Sequence, residues 1–428
     1  MRRYFSGLIL LVLVCSAFVS SAQTFSPFSR YGLGYLTSDV YSVNRAMGGI
    51  ATGYSSGIHI NHTNPASYSE IAVTTFEIGA NADAATFRTK DSSYNGVNGT
   101  VSHVALGIPL IKNKLGLSFG LLPYSILNYN FANNDVDTAK VYTGKGSLYQ
   151  LYIGSGYKIK DFSIGFNAGY IFGKLDYTKG FAFTDSIDAY NVQNATSMKV
   201  GGFTYNVGIQ YKKRVIKRSP QNTAKTDVFV TFGAQGSSGV KLNSRVASQW
   251  ERYINIGGIP TTVDTPLSYA EQRGKVVMPY NFSVGMTAGN EQWWLVGVDF
   301  RYAGWSNFTS PLATTSLANS WRVMVGGAIT PNYDSKKFLD RVQYKVGGYY
   351  GKSEVVYQGI QLSEYGGTVG VSVPILFSGL YREAARFHFG ADIGTRTPGG
   401  RSLISENYYR FNFGFTLNNV WFQKRKFD

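Results

Sequence analysis

Much of what enzymes and secreted binding domains rely on is scarce in this chain. Of 428 residues, one is a cysteine, four are histidines and 15% are charged. No apolar run approaches the roughly 20 residues that a membrane-crossing helix requires, and mean hydropathy is −0.11. No glycine-rich phosphate loop follows a strand and opens a helix, so nucleotide binding has no support. No Pro/Ser linker or low-complexity tract divides the chain. The single cysteine, Cys15, falls inside an N-terminal leader, so the remainder is expected to carry no disulfide and no thiolate metal site.

The leader reads as a secretory signal. Arg2 and Arg3 precede a short apolar run over residues 8–14, and small residues lead to Ala22, where cleavage is expected. Val14 stands before Cys15 where a lipoprotein signal needs a small residue. Export without disulfides suits a bacterial envelope protein. Lys and Arg total 41 against 25 Asp and Glu, a net charge of +16. An exported chain does not meet nucleic acid in bulk, so no nucleic-acid partner is expected. The excess is better matched to outer-membrane lipid headgroups and lipopolysaccharide.

What the chain has in abundance is glycine, at 49 positions, and aromatic residues, at 15%. They recur in short segments that alternate apolar with small or polar residues. In residues 161–172, Phe162, Ile164, Phe166, Ala168, Tyr170 and Phe172 fall on one face, with Ser163, Gly165, Asn167 and Gly169 on the other. That period of two means strands. About fourteen such segments of ~9–13 residues can be read, a length suited to a transmembrane β-barrel. They are residues 73–84, 99–110, 114–125, 147–158, 161–172, 200–212, 227–236, 277–289, 292–302, 321–330, 343–351, 366–374, 386–396 and 407–418.

Connections alternate between tight turns (111–113, 159–160, 290–291) and long polar stretches (128–146, 173–199, 237–276, 303–320, 352–364). An even number of strands with one tight and one elaborated side predicts an outer-membrane barrel with both termini periplasmic. A soluble sandwich or propeller would also alternate. It would not place large aromatic faces on nearly every strand opposite Gly, Ser, Asn and Thr, and no blade-like repeat is visible.

Turning the apolar faces outward turns the charges inward. Glu77 and Asp83 on the first strand, Asp299 and Arg301 on the ninth, Arg386, His388 and Asp392 on the thirteenth and Arg410 on the last would form a polar lumen wall. They are expected either to brace the barrel as a salt-bridge network or to dock whatever fills it. The filler expected is the segment 23–70, too short and too Gly/Ser-rich for a core of its own. Gly48-Gly49 permits a tight bend or a close approach to the wall. Asn64-Pro65 marks a corner where the segment enters the first strand.

The block Arg45, Ala46, Gly48, Gly49, Ala51, followed by Asn64, Pro65 and Ala66 and then an all-β chain, resembles the FadL-type outer-membrane transporters of hydrophobic compounds. The ending, residues 421–428, resembles FadL-like proteins of Bacteroidota-type bacteria. The resemblance implies three parts: a cleaved leader (1–22), a hatch (23–70) plugging the lumen, and a barrel (71–428). It also implies sideways release of ligand through a wall gap. Leu122-Pro123 near the end of the third strand is the candidate gate, since proline removes a ladder donor.

Other chemistry is thinly supported. His59-x-x-His62 has ligand spacing but lacks further ligands, so no metal or other cofactor is expected. Ser102 and His103 are adjacent in a strand and should face opposite ways, which argues against a catalytic dyad, and the chain reads as a non-enzyme. The leading functional expectation is passive uptake of small hydrophobic compounds such as long-chain fatty acids. A second is a non-transporting barrel subunit of a secretion or protein-assembly complex, with other envelope proteins as partners. A third, resting only on the long loops, is an adhesin or phage receptor.

Overall fold

The computed structural model describes residues 26–90, 92–134, 138–183, 190–217, 227–256, 259–290, 292–312, 316–375, 385–399 and 404–419. The expected leader, residues 23–25 of the expected hatch and the ending 421–428 lie outside them.

Alternating sequence becomes a single antiparallel sheet. A two-residue strand, β1 (Tyr35–Leu36), belongs to the N-terminal segment. The wall begins with β2 (Thr74–Arg88), β3 (Ser93–Ile111), β4 (Leu115–Asn134), β5 (Thr138–Ile159), β6 (Phe162–Phe183), β7 (Asn191–Ile216), β8 (Val228–Ser237) and β9 (Lys241–Ile256). It continues with β10 (Ile259–Val277), β11 (Asn281–Asn290), β12 (Trp294–Ala303), β13 (Ser320–Ile329), β14 (Gln343–Tyr357), β15 (Ile360–Ile375), β16 (Ala385–Thr397) and β17 (Ser405–Asn419). β17 returns to β2, with Ser405 opposite Arg88 and Asn419 opposite Thr74, and this closes the barrel. β8 and β9 run end to end along β7, and β10 and β11 run end to end along them. The wall therefore has fourteen staves, and each predicted segment falls on one of them.

The predicted faces hold. On β6, Phe162 is 62% exposed and Ile164 52%, while Ser163 and Asn167 are buried. An outer face of exposed Phe, Tyr, Ile and Val around a polar interior is the wall of a membrane barrel.

Most of the long polar stretches are not loops. Residues 128–134 and 138–146 continue the β4–β5 ladder, 173–183 and 191–199 continue β6–β7, and 241–256 pairs with 259–277. Beyond the apolar band the outer side chains meet water and need not be apolar. The backbone still needs partners, so the ladders run on. Residues 352–364 are likewise mostly strand, closed by a tight turn at Gln358-Gly359 with φ of +49° and +79°. The expected loop at 303–320 is a loop over residues 304–312 and 316–319, containing the short 3-10 helix Trp305–Asn307. It turns Trp305, Phe308 and Leu317 into an apolar cluster with Leu33, Leu148 and Leu242.

Candidate functional site

The lumen is occupied by the chain's own N-terminal segment. Residues 26–72 include the short helix Ser42–Arg45 and the 3-10 helix Pro65–Glu70. Asn64 opens the latter, its side chain accepting from the Ala66 N–H at 3.2 Å. Pro65 stands at its first position, where a missing N–H costs nothing. β2 follows a few residues later, so Asn64, Pro65 and Ala66 lie just ahead of the first wall strand.

Bonds to the wall hold this segment from several sides. The Asp299 carboxylate accepts from the Ala51 and Thr52 N–H groups, both at 2.7 Å. The Gly48 N–H donates to Thr368 Oγ1 at 2.8 Å, and that hydroxyl donates to the Ala46 carbonyl at 3.0 Å. Lys345 donates to the Val43 carbonyl at 2.9 Å. Arg45 reaches the Val40 carbonyl and Asn412 Oδ1, each at 2.9 Å. Asn64 Nδ2 spans from the Thr52 carbonyl at 2.8 Å to the Ile209 carbonyl at 3.2 Å. At the tight-turn end, Glu70 bonds Lys212 at 2.8 Å and also Lys158. Burial would raise the Glu70 carboxyl, but the two ammonium groups outweigh it and hold it below its usual range.

Wall glycines make this closeness possible. A methyl group at Gly116, Gly165, Gly233 or Gly326 would strike the backbone of Tyr68, Pro65, Thr52 or Met47. Gly48 and Gly49 adopt φ of +69° and +87°. A Cβ on Gly48 would lie 2.6 Å from the Val325 carbonyl oxygen, so this pair combines a bend with a close approach to the wall.

The wall charges face inward; some hold the inner segment, and others pair along the wall. Asp299 is a dock, as are Arg301, which bonds Asp39 at 2.6 Å, and Glu77. Glu77 meets His59 Nδ1 at 3.0 Å and accepts from the Ile60 N–H at 3.3 Å. His388 bonds Ser372 at 2.7 Å and Thr416 at 2.9 Å. Arg386 is buried on the same wall. Asp392 and Arg410 belong to a brace: Arg410 lies 3.5 Å from Asp392 and stacks 3.7 Å over Tyr408. Asp83 lies farther up β2, buried beside the Arg410 and Arg45 guanidinium groups and opposite Arg410 in the ladder. The brace has an uncharted centre. Glu364, expected in a loop, is buried on β15 and bonds Arg322 at 2.5 Å and Arg396 at 3.3 Å.

All four histidines gather at this interface. His59 and His388 rings lie 5.1 Å apart, and Tyr41 stacks 3.8 Å from His103 and 6.1 Å from His62. His59 and His62 address different partners, and among the described residues no group of three metal-ligating side chains forms. Burial pushes His62 down to about 4, so the ring is neutral. One expectation fails. Ser102 is the extra residue of a β-bulge between the pairs Gly79–His103 and Ala80–Val101. The bulge turns Ser102 and His103 to the same side, with Oγ and Nδ1 3.0 Å apart. The pair is buried, and the His103 ring stacks on Tyr41.

Leu122-Pro123 lies where β4 parts from β3. β3 and β4 pair only from Val104–Leu121 down to Ile111–Leu115. Above that, β4 bulges between Pro123 and Ser125 and leaves its neighbour. Its freed edge takes up β1 instead, Leu36 opposite Ser125 and Tyr35 opposite Ile126. The two bulges, at Ser102 and after Pro123, stand where the strands part. A cavity of about 420 Å³ lies over the inner segment and reaches Asn98 and Tyr124 at this seam. Its lining mixes charged and amide groups, among them Asp39, Asp83 and Arg301, with aromatic and aliphatic ones, among them Ile171, Met278 and Trp305.

A closed fourteen-stave antiparallel barrel enclosing its own N-terminal segment has the fold of the FadL-type outer-membrane channels. A FadL homologue of Pseudomonas aeruginosa aligns at a TM-score of 0.57 with 10% identity, over 90% of this chain and 99% of that one. The Pseudomonas putida toluene transporter TodX aligns at 0.56 with 13% identity, over 90% and 98%. The CymD monoaromatic hydrocarbon channel aligns at 0.52 with 11% identity, over 90% and 98%. At such identities the likeness shows the fold. No curated protein sequence matches. The family model of BamG matches residues 1–428, the whole chain, and the protein belongs to the BamG family.

Proposed function

We propose that this BamG-family barrel resides in the outer membrane of a Gram-negative bacterium as a plugged, non-conducting subunit of a complex that secretes or assembles proteins. One observation carries the reading: the segment beneath the cavity is tied to the wall on several sides, and charged and amide groups stand among the aromatic ones that line the cavity. A hydrophobic solute passing there would strip water from Asp83 and Arg301, and the aromatic and aliphatic side chains it met would not replace those hydrogen bonds. The tall hairpins of β4–β10 supply wall for partners beyond the bilayer. The division into leader (1–22), hatch (23–70) and barrel (71–428), with both termini periplasmic, belongs to this reading.

Extraction in mild detergent tests it. Stable co-isolation with other envelope proteins, and no conductance from the purified barrel in planar bilayers, are expected. A lone barrel that conducts, or that carries hydrophobic cargo, would overturn it.

The second reading is a channel for small hydrophobic compounds such as long-chain fatty acids. The parting of β3 and β4 at Pro123 favours it, and the shared fold is consistent with it. Pro123→Val restores a ladder donor and should then reduce uptake of a hydrophobic ligand; unchanged uptake would remove lateral passage.

A further inference from the structure

The seam between β3 and β4 has two edges, and among the described residues the chain covers only one of them. On the β4 side, besides the β1 pairs, the Thr37 N–H donates to the Tyr124 carbonyl at 3.1 Å and the Ser26 N–H to the Asn128 carbonyl at 3.2 Å. The Asn128 N–H finds Ser29 Oγ at 3.3 Å. On the β3 side, residues 95–101 pair with β2 alone among the described residues. Every second residue of that stretch turns its N–H and C=O away from β2, toward the seam.

This free edge stands at the level of the apolar band. Val97 and Val101 pair across β2 with Ala84 and Ala80, which pair in turn with Tyr409 and Phe413 of β17. All four of these large side chains are exposed outward, Val101 at 54%. A bilayer offers no donor or acceptor to a backbone edge at that depth, and exposed edges are where foreign strands add. Because β4 is already satisfied by the N-terminal segment, the two edges are not built to close on each other.

We propose that residues 95–101 of β3 receive a strand from a membrane partner, by β-augmentation. The incoming strand continues the pattern of the wall. It is apolar beside Val97 and Val101 on the lipid side, and small or polar beside Asn98 and Thr100 on the lumen side. This inference rests on the subunit reading and names the surface by which the subunit docks.

The test uses single cysteines at Val97, Gly99 and Val101, introduced into the full chain in its own envelope with Cys15 lost with the leader. Each carries a short photoreactive maleimide, and Phe203→Cys on the outer face of β7 serves as the control. Crosslinks from the three β3 positions should land in one strand of one partner, at sites stepping by two residues, with none of that pattern from residue 203. Proline at successive positions 98 and 99 should then separate two effects. One substitution releases the partner from a folded barrel, while its neighbour disturbs the β2 ladder. The cysteine variants keep the test decisive if a proline variant fails to fold. Scattered adducts, lipid adducts alone, or a complex that survives both prolines would overturn the docking edge while leaving the subunit reading intact. A barrel that isolates without any partner would overturn both.

Discussion

Asp299→Ala isolates how the inner segment is held. The carboxylate is 1% exposed and accepts two backbone N–H groups at 2.7 Å. Charge-assisted bonds of this kind contribute about 1.5–3 kcal/mol each, and removing the acceptor leaves both donors buried without partners. The attachment of residues 51–52 should weaken by about 3–6 kcal/mol, toward the lower end if water enters the space. At 1.4 kcal/mol per tenfold, local release becomes roughly a hundredfold to ten-thousandfold more frequent. The wall itself should persist, because the β11–β12 and β12–β13 ladders do not depend on the side chain. Amide hydrogen exchange is the assay, with heat-modifiable gel migration confirming a folded barrel. Protection at Ala51 and Thr52 should fall sharply in Asp299→Ala. Asp299→Asn keeps an acceptor of the same shape and should lose only about 1–2 kcal/mol. Wild-type exchange in the alanine variant would refute the idea that Asp299 anchors the segment.

Glu70 predicts an acid limb. Its carboxyl is held below its ordinary 4.5 in the folded protein, so its contribution is complete above that value and is lost as pH falls through the lower, folded one. Exchange protection of residues 65–70 should therefore drop below about pH 4.5 in the wild type, and Glu70→Gln should abolish that step at a cost of about 1 kcal/mol near neutrality. Gly48→Ala should loosen the segment by more than about 1 kcal/mol, through positive φ and the collision with Val325. Trypsin susceptibility at Arg45 in a folded barrel would report it.

Much of the barrel could be read from period-two patterning, because a strand in lipid must show its face in sequence. Fourteen staves and their inward charges follow from that, whereas the Asn64-Pro65 corner rests on the turn preference of that pair. Strand ends did not: above the apolar band Lys140, Thr178 and Asn194 resemble loop residues, and only pairing with a neighbour makes them strand. For the same reason Glu364 reads as loop in the sequence, although it is the centre of the Arg322–Arg396–Arg410 brace. The Ser102–His103 contact has no sequence signal, because a bulge changes parity without any mark in composition.

By itself, the sequence determined that this chain forms a membrane barrel and that its interior is polar and small-residued, since burial against lipid selects side chains one residue at a time. Tertiary structure alone decided which wall group meets which inner residue, and that β4 abandons β3 at Pro123 to pair with Tyr35 and Leu36. Most of those contacts join residues between about 90 and 367 positions apart in sequence, and no local pattern records a partner that distant.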